Sequence, residues 1–530
     1  MVNNITKDTQ MKIMKTLLFF FVLVGLTQAA DISTTKSGVW SDVTVWSTGT
    51  LPTAADNVFI LDSHTITYDM DSAAVNNLTI GSETSTTGGW QITKLKLTKF
   101  TIYGNLVIYP NMVFKVQTVD PTVGKQLAHT LYMQGNITNN GSSFDLKNGS
   151  STTLAVLNIV FFGSVNSTLT MNGGYTSTQN EFNGITLNKT GGAKVVLATD
   201  VVCGSGSTSN TVACNPYVYF TSGILETGPH YFIHQSTTTA HMDTARANSY
   251  ILGNLARGMS NSGGKSCLFP VGDANGYRPI TVMTSSSGVA TGHYIAVGCF
   301  AGNANTGTST FPDGLIDKVS ELRYYKVTYG KLAVATTAPD TMVTTFFRPT
   351  YATGDGVSSG NEDLRVAYSL NERASWYTFH DNYPDTTSVS ATPKTISPDT
   401  LSTGITLTNN VNAIYITLAR LTGTTTNTLS AAPNTVKIEA GKVTRYQLEQ
   451  NYPNPFNPTT KIRFSVPQTS HVVLKVYDVL GKEVAQLIDE VKSAGSYETE
   501  FKAAGLASGI YLYRLQTNAY QETKKMFLLK

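Results

Sequence analysis

Charge is scarce in this sequence: Asp, Glu, Lys and Arg make up 14% of its 530 residues, and the formal net charge is only +3. No basic run or stripe stands out, which excludes the electrostatic footprint of a nucleic-acid binder. Cysteine is rare too, and the spacing of Cys203, Cys214, Cys267 and Cys299 fits no zinc motif. The chain is also far too long to need disulfide staples for a core. The H-E-x-x-H helix and the Walker loop are both absent, so the common metalloprotease and nucleotide-binding signatures are missing. Only one long apolar run exists, TLLFFFVLVGL near the N-terminus, and it is too short to span a membrane comfortably.

That run follows Lys12 and Lys15 and precedes TQAA, with Thr27 and Ala29 at the −3 and −1 positions of a cleavage site. It reads as a secretory signal peptide over residues 1–30, which leaves no transmembrane span in the mature chain. Glycine, serine, threonine and asparagine dominate the mature chain, and helical periods are few. This is the composition of an extracellular all-β protein several domains long.

Residues 31–248 read as one repetitive unit. FTIYGNLVI, TLYMQGNIT and IVFFGSVN each set an apolar strand before a glycine, and Gly104, Gly135 and Gly163 lie 31 and 28 residues apart. Periods of this size point to stacked coils that bury an aliphatic interior, a right-handed parallel β-helix (solenoid), with glycine at each corner for its permissive φ. Before the repeats, SGVWSDVTVWSTGTLPTAADNVFIL places Trp40 and Trp46 near the first strands. This opening resembles that of secreted parallel β-helix surface proteins, in which a tryptophan-containing cap covers the first coil. Stacking of the two rings on carbohydrate is the alternative use.

Around Tyr250 the pattern changes, and CLFPVGDANGYRPITV with the later RYYKVT, DLRVAYS and AIYITLAR predicts a β-sandwich-like domain over 249–420. DGLIDKVSEL reads as a short helix within it. Arg278 and Arg323 are expected to pair with Asp273 or Glu321 in a structural role. Residues 421–445, poor in periodicity and rich in threonine and asparagine, read as a linker.

The last stretch, 446–530, alternates strongly: Ile462, Phe464 and Val466 share one strand face, as do Tyr497, Thr499 and Phe501. Six or seven short strands predict a small immunoglobulin-like sandwich. The ordered series NYPNPFNP, VYDVLGKEV, GLASGIYLYRL and a lysine-rich end closely resembles the type A C-terminal sorting domain of proteins exported by the type IX secretion system. The resemblance implies a sorting signal carried by Asn454, Pro455, Phe456, Asn457, Pro458, Gly481, Gly509, Tyr511, Lys524, Lys525 and Lys530, with the outer-membrane translocon as partner. It also implies passage through the periplasm to the cell surface or medium, and surface glycan or lipopolysaccharide as a further contact.

Candidate chemistry in the body is sparse. His230, His234, His241 and Asp243 form the best metal-ligand set, although their spacing matches no known signature. Asp69 and Asp71 would share a strand face, as an acid–base or calcium pair requires. Since export permits disulfides, Cys203 and Cys214, which bracket the loop GSGSTSNTVA, are the preferred pair. No catalytic set, metal site or cofactor is assigned. The expected function is that of a structural or adhesion-type surface protein; the alternative is a polysaccharide lyase or hydrolase on the coils.

Overall fold

The computed structural model describes residues 29–529 except 93–96, 118–125, 142, 150–152, 173–179, 205–213, 259–265, 285–292, 332–340, 353, 358–362, 380–381, 385–392, 399–403, 409–410, 425–426, 431–434, 440–444, 469, 493–494, 504–505 and 518. The signal-peptide segment and Lys530 lie outside the described residues. Within them the chain is nearly all β, with short 3-10 turns at Val43–Val45 and Thr239–His241 and no α-helix.

The first part is a β-solenoid of about seven turns. Each complete coil contributes one short strand to each of three parallel sheets. Asn57–Ile60, Asn77–Ile80 and Leu106–Ile108 stack on the first face, and Thr65–Tyr68, Gly89–Ile92 and Val113–Val116 on the second. Ser72–Val75, Lys99–Ile102, Leu127–Met133 and Ala155–Gly163 stack on the third. Alternate residues turn inward, so the pattern in Asn57–Ile60 and Thr65–Tyr68 is partly exposed, buried, partly exposed, buried.

The glycine repeat is the coil repeat. Met133 pairs with Ile102 on one side and Phe161 on the other, so Gly104, Gly135 and Gly163, each two residues further on, meet at one corner. Their reasons differ. Gly163 has φ +80°, but Gly104 and Gly135 do not need the left-handed region. At those two the coils approach too closely for a side chain: a Cβ on Gly135 would lie 2.1 Å from the Gly104 carbonyl oxygen. Gly135→Ala is therefore expected to destabilise the body by about 1–3 kcal/mol through forced separation of two coils, measurable as a fall in the midpoint of urea unfolding.

Aromatic rings fill the interior of the second face. Trp90 stacks on Phe114 with centroids 4.5 Å apart, Phe114 on Phe144 at 5.5 Å, and Phe144 meets Phe182 at 5.4 Å. Trp40 and Trp46 close the N-terminal end of this stack, 4.8 Å apart, both essentially buried, with the Trp46 indole N–H donating to the Trp40 carbonyl. Burial removes both rings from carbohydrate stacking and leaves the cap role.

At Ile251–Gly258 the sheet changes character. This strand pairs in parallel with Ile224–His234 of the last coil and antiparallel with His293–Ala301. The exposed end of the solenoid is thereby covered by antiparallel strands of the next unit, which removes an open sheet edge. His293–Ala301, Arg323–Lys331, Ala413–Leu421 and Leu364–Ser369 continue that sheet. Four strands, from Ser266–Phe269 to Ile405–Thr408, form a second antiparallel sheet. A single apolar core runs from Ile32 to Leu429 through both units.

Two expectations are corrected here. DGLIDKVSEL contains the strand Ile316–Val319, held by pairing with Ala419–Leu421 rather than wound into a helix. The stretch 421–445 is only in part a connection. Leu429 is buried in the body, Asn427 bonds Asp363, and Thr435–Glu439 pairs with Gly495–Lys502 of the terminal sandwich.

Candidate functional site

The terminal sandwich consists of two four-stranded antiparallel sheets around a core of its own, from Leu448 to Leu528. One sheet holds Thr435–Glu439, Gly495–Lys502, Thr459–Val466 and Gln447–Leu448; the other holds Glu483–Lys492, Ser470–Tyr477, Gly509–Thr517 and Gln521–Leu528. Ile462, Phe464, Val466, Tyr497 and Phe501 all point into the core, as their alternation requires.

Two motifs more than seventy residues apart in the sequence form one structure. The last strand is an edge, and the loop carrying Asn454 to Phe456 closes it. Asn454 Oδ1 accepts from the Phe527 amide at 2.9 Å, the Phe456 amide donates to the Phe527 carbonyl at 2.9 Å, and the Leu529 amide donates to the Phe456 carbonyl at 2.9 Å. Gln450 Nε2 adds a bond of 2.8 Å to the Lys525 carbonyl. The Phe456 ring is buried against Phe501. A bare terminal strand would invite pairing with any other strand, and this loop takes its hydrogen bonds first. Asn454→Ala should cost about 1 kcal/mol and speed hydrogen exchange at the Phe527 amide, while exchange in Thr459–Val466 stays unchanged.

The other signal residues surround this clamp. Pro455 and Asn457 are exposed, and the Pro458 carbonyl accepts from the Ala503 amide. Gly481, at φ +81°, closes the turn from Asp478, which leaves Val479 and Leu480 in solvent. Gly509 pairs with Leu528, and the Tyr511 hydroxyl donates to the Ala507 carbonyl at 2.8 Å. Lys524 pairs with Glu522, and the Lys525 ammonium lies over the Phe527 ring. Behind them, the Tyr513 hydroxyl donates to the Glu449 carbonyl and accepts from the Asn451 amide; burial pushes its pKa up to about 12.

Residues 450–529 match the family described as the secretion system C-terminal sorting domain. The chain is a cargo protein of the type IX secretion system. Its folded tail begins before the matched region, at Thr435, because that strand belongs to the same sheet. No curated protein and no solved structure matches the cargo. Among its described residues, no helix is long and apolar enough to cross a membrane.

The body's candidate sites are mostly dispersed. The strand Ile224–His234 turns a corner between two faces, which leaves His230 partly exposed with Nδ1 3.7 Å from Asp200 while His234 is fully buried. His234 Nε2 donates to the Pro216 carbonyl at 2.8 Å, and burial, helped by the nearby Arg257, pushes its pKa down to about 3. His241 Nδ1 meets the Ser236 hydroxyl at 2.7 Å, and Asp243 accepts from the Phe220 and Thr244 amides. Among the described residues no group of three or more His, Cys, Asp or Glu is arranged to hold a metal. Asp69 and Asp71 are not on a strand: they sit at the corner after Thr65–Tyr68, where Asp69 accepts from the Ser41 amide and hydroxyl.

Cys203 and Cys214 form no disulfide in the structure. Cys203 faces the coil interior and its thiol donates to the Asn183 carbonyl, whereas Cys214 packs with Leu154 and Val156 in a separate cluster. Burial pushes the Cys203 thiol well up, which disfavours the thiolate form.

Arg323 does pair with Asp273, at 2.9 Å, but Glu321 pairs with Lys318. The unforeseen member is Asp355, whose two oxygens take Arg278 at 2.7 Å and Arg323 at 2.7 Å. All four side chains are at most 7% exposed.

Sequence reasoning also missed a corner ladder. Asn77 Oδ1 accepts from the Asn105 amide at 2.6 Å, Asn105 Oδ1 from the Asn136 amide at 3.1 Å, and Asn136 Oδ1 from the Thr168 amide at 2.8 Å. The signal was available: an asparagine at the start of the first-face strand, or immediately before it, in successive coils.

Proposed function

We propose that the exported body is a structural, adhesion-type surface element, with the solenoid over 31–248 as its rod and the unit from 249 as its base. The observation that carries this reading is continuity. One core and one sheet connect the cap to Leu429, so the body resists bending, while its outer faces are lined mainly with threonine, asparagine and serine. Stacked coils with a polar exterior suit weak, repeated contacts with a surface polymer, glycan or lipopolysaccharide. The tail supplies delivery through the translocon, by way of the periplasm, and the body supplies the contact.

A second reading, polysaccharide processing, draws support from one pair. Asp145 lies opposite Glu181 on the next coil and beside Lys115 on the preceding one, and burial raises its pKa. A carboxyl of raised pKa near a second carboxylate is the arrangement that general acid catalysis uses. A reducing-end and unsaturated-product assay over a panel of polysaccharides separates the two readings. Binding without turnover is the expected result; turnover abolished by Asp145→Asn would replace the adhesion reading with the enzymatic one.

A further inference from the structure

The third face of the solenoid differs from the second in carrying aromatic rings on the outside. Its central outward row runs Thr101, Tyr132, Val160, Thr186 and Tyr219 in consecutive register across five coils. Beside it, the Phe162 ring meets Tyr132 at 6.3 Å and Tyr103 at 5.9 Å, and Asn188 and Ser222 continue that second row. Tyr103 and Tyr219 are each 44% exposed. At the far end Tyr217 stacks on Tyr219 at 5.3 Å.

Aromatic groups at both ends, with hydroxyls and amides between them, form a track along the coil axis. From Tyr132 to Tyr219 is three strand spacings, about 14 Å at roughly 4.8 Å each, a length that several linked sugar rings would cover. Charge selects among such chains. From Thr101 to Tyr219 neither of these two rows contains a charged side chain, the next position in register being Asp243 beyond Tyr219, whereas the outward row of the second face holds Lys115, Asp145 and Glu181 within the same span of coils. An uncharged track offers an anionic polymer no compensation for lost hydration, while a neutral sugar presents apolar C–H faces to the rings and hydroxyls to the amides.

We infer that the third face binds a neutral linear polysaccharide lying along the coil axis, with Tyr103, Tyr132, Phe162 and Tyr219 as its aromatic contacts. This rests on the adhesion reading and names its ligand class.

The test is calorimetric titration of the full mature chain with cellohexaose, xylohexaose and mannohexaose, and with hexagalacturonate as the charged comparison. At least one neutral hexaose is expected to bind more tightly than hexagalacturonate. Tyr103→Ala and Tyr219→Ala, both at exposed positions, should each weaken that binding about tenfold, as should Phe162→Ala, with thermal melting of every variant recorded to separate misfolding from lost contact. Absence of binding by all three neutral hexaoses, tighter binding of hexagalacturonate, or unchanged affinity in folded Tyr103→Ala and Tyr219→Ala overturns the assignment. If the chain then still adheres to the surface of the producing cell, only this face assignment fails. Hydrolysis of a bound hexaose would instead remove the adhesion reading while leaving the track in place.

Discussion

A chain ending at Ser430 is expected to fold normally and to accumulate in the periplasm. Leu429 is the last residue of the body's core, and no residue of the tail's core belongs to it. Among the described residues the tail's strands pair only with one another, so removing residues 431–530 takes away a complete folded unit and leaves the body's sheets intact. Thermal unfolding of the truncated body should match that of the body in the full chain. Immunoblots of fractionated cells should move from surface and medium to periplasm. The position of the cut matters. A chain ending at Arg445 would retain Thr435–Glu439 without its partner Gly495–Lys502, exposing a loose strand with unpaired amides. Such a variant should aggregate more than one ending at Ser430. Surface delivery of the truncated body would contradict the assignment of the address to the tail.

The second large effect is expected inside the body. Asp355 accepts from two guanidinium groups and from the Ala352 amide, all shielded from solvent. Removing it takes the shared carboxylate away from the buried Arg278 and Arg323 cations, a loss of about 3–5 kcal/mol. Asp355→Ala should therefore lower the urea midpoint of the body by far more than Glu321→Ala, because the ion pair of Glu321 with Lys318 is partly exposed. The unfolding of the tail should be unaffected, because its core is separate. Equal and small effects of the two substitutions would show that the quartet is not the tie between these strands. Replacing all four charged side chains with apolar ones of similar volume is a different experiment and need not destabilise.

Local patterns made much of this architecture legible. Gly104, Gly135 and Gly163 reported the coil because each lies two residues beyond the same register position of one sheet, Ile102, Met133 and Phe161. The tail was legible because its motifs are short and ordered, and because period-two alternation in KIRFSV and YETEF needs only one strand to be visible. The features that stayed hidden involve distance along the chain. The stacked rings Trp90, Phe114, Phe144 and Phe182 are separated by 24, 30 and 38 residues, since coils grow and shrink at their corners, so no fixed period exposes them. Asp355 is 77 residues from Arg278, and nothing near either announces the other. The strand Ile316–Val319 looked helical in isolation, but a neighbouring strand overrides such local preference. The polar stretch 421–445 looked like a linker because Leu429 and Thr435–Glu439 are committed to folded units by partners elsewhere in the chain.

The most direct measurement is transfer of the address to another protein. Residues 431–530, fused behind a fluorescent protein that already carries a signal peptide, should deliver that protein to the cell surface or the medium of a strain with a working type IX system. The same fusion should remain periplasmic in a strain lacking the translocon. Retention of the folded fusion in the periplasm of both strains would contradict the claim that this sandwich alone is what the export machinery reads.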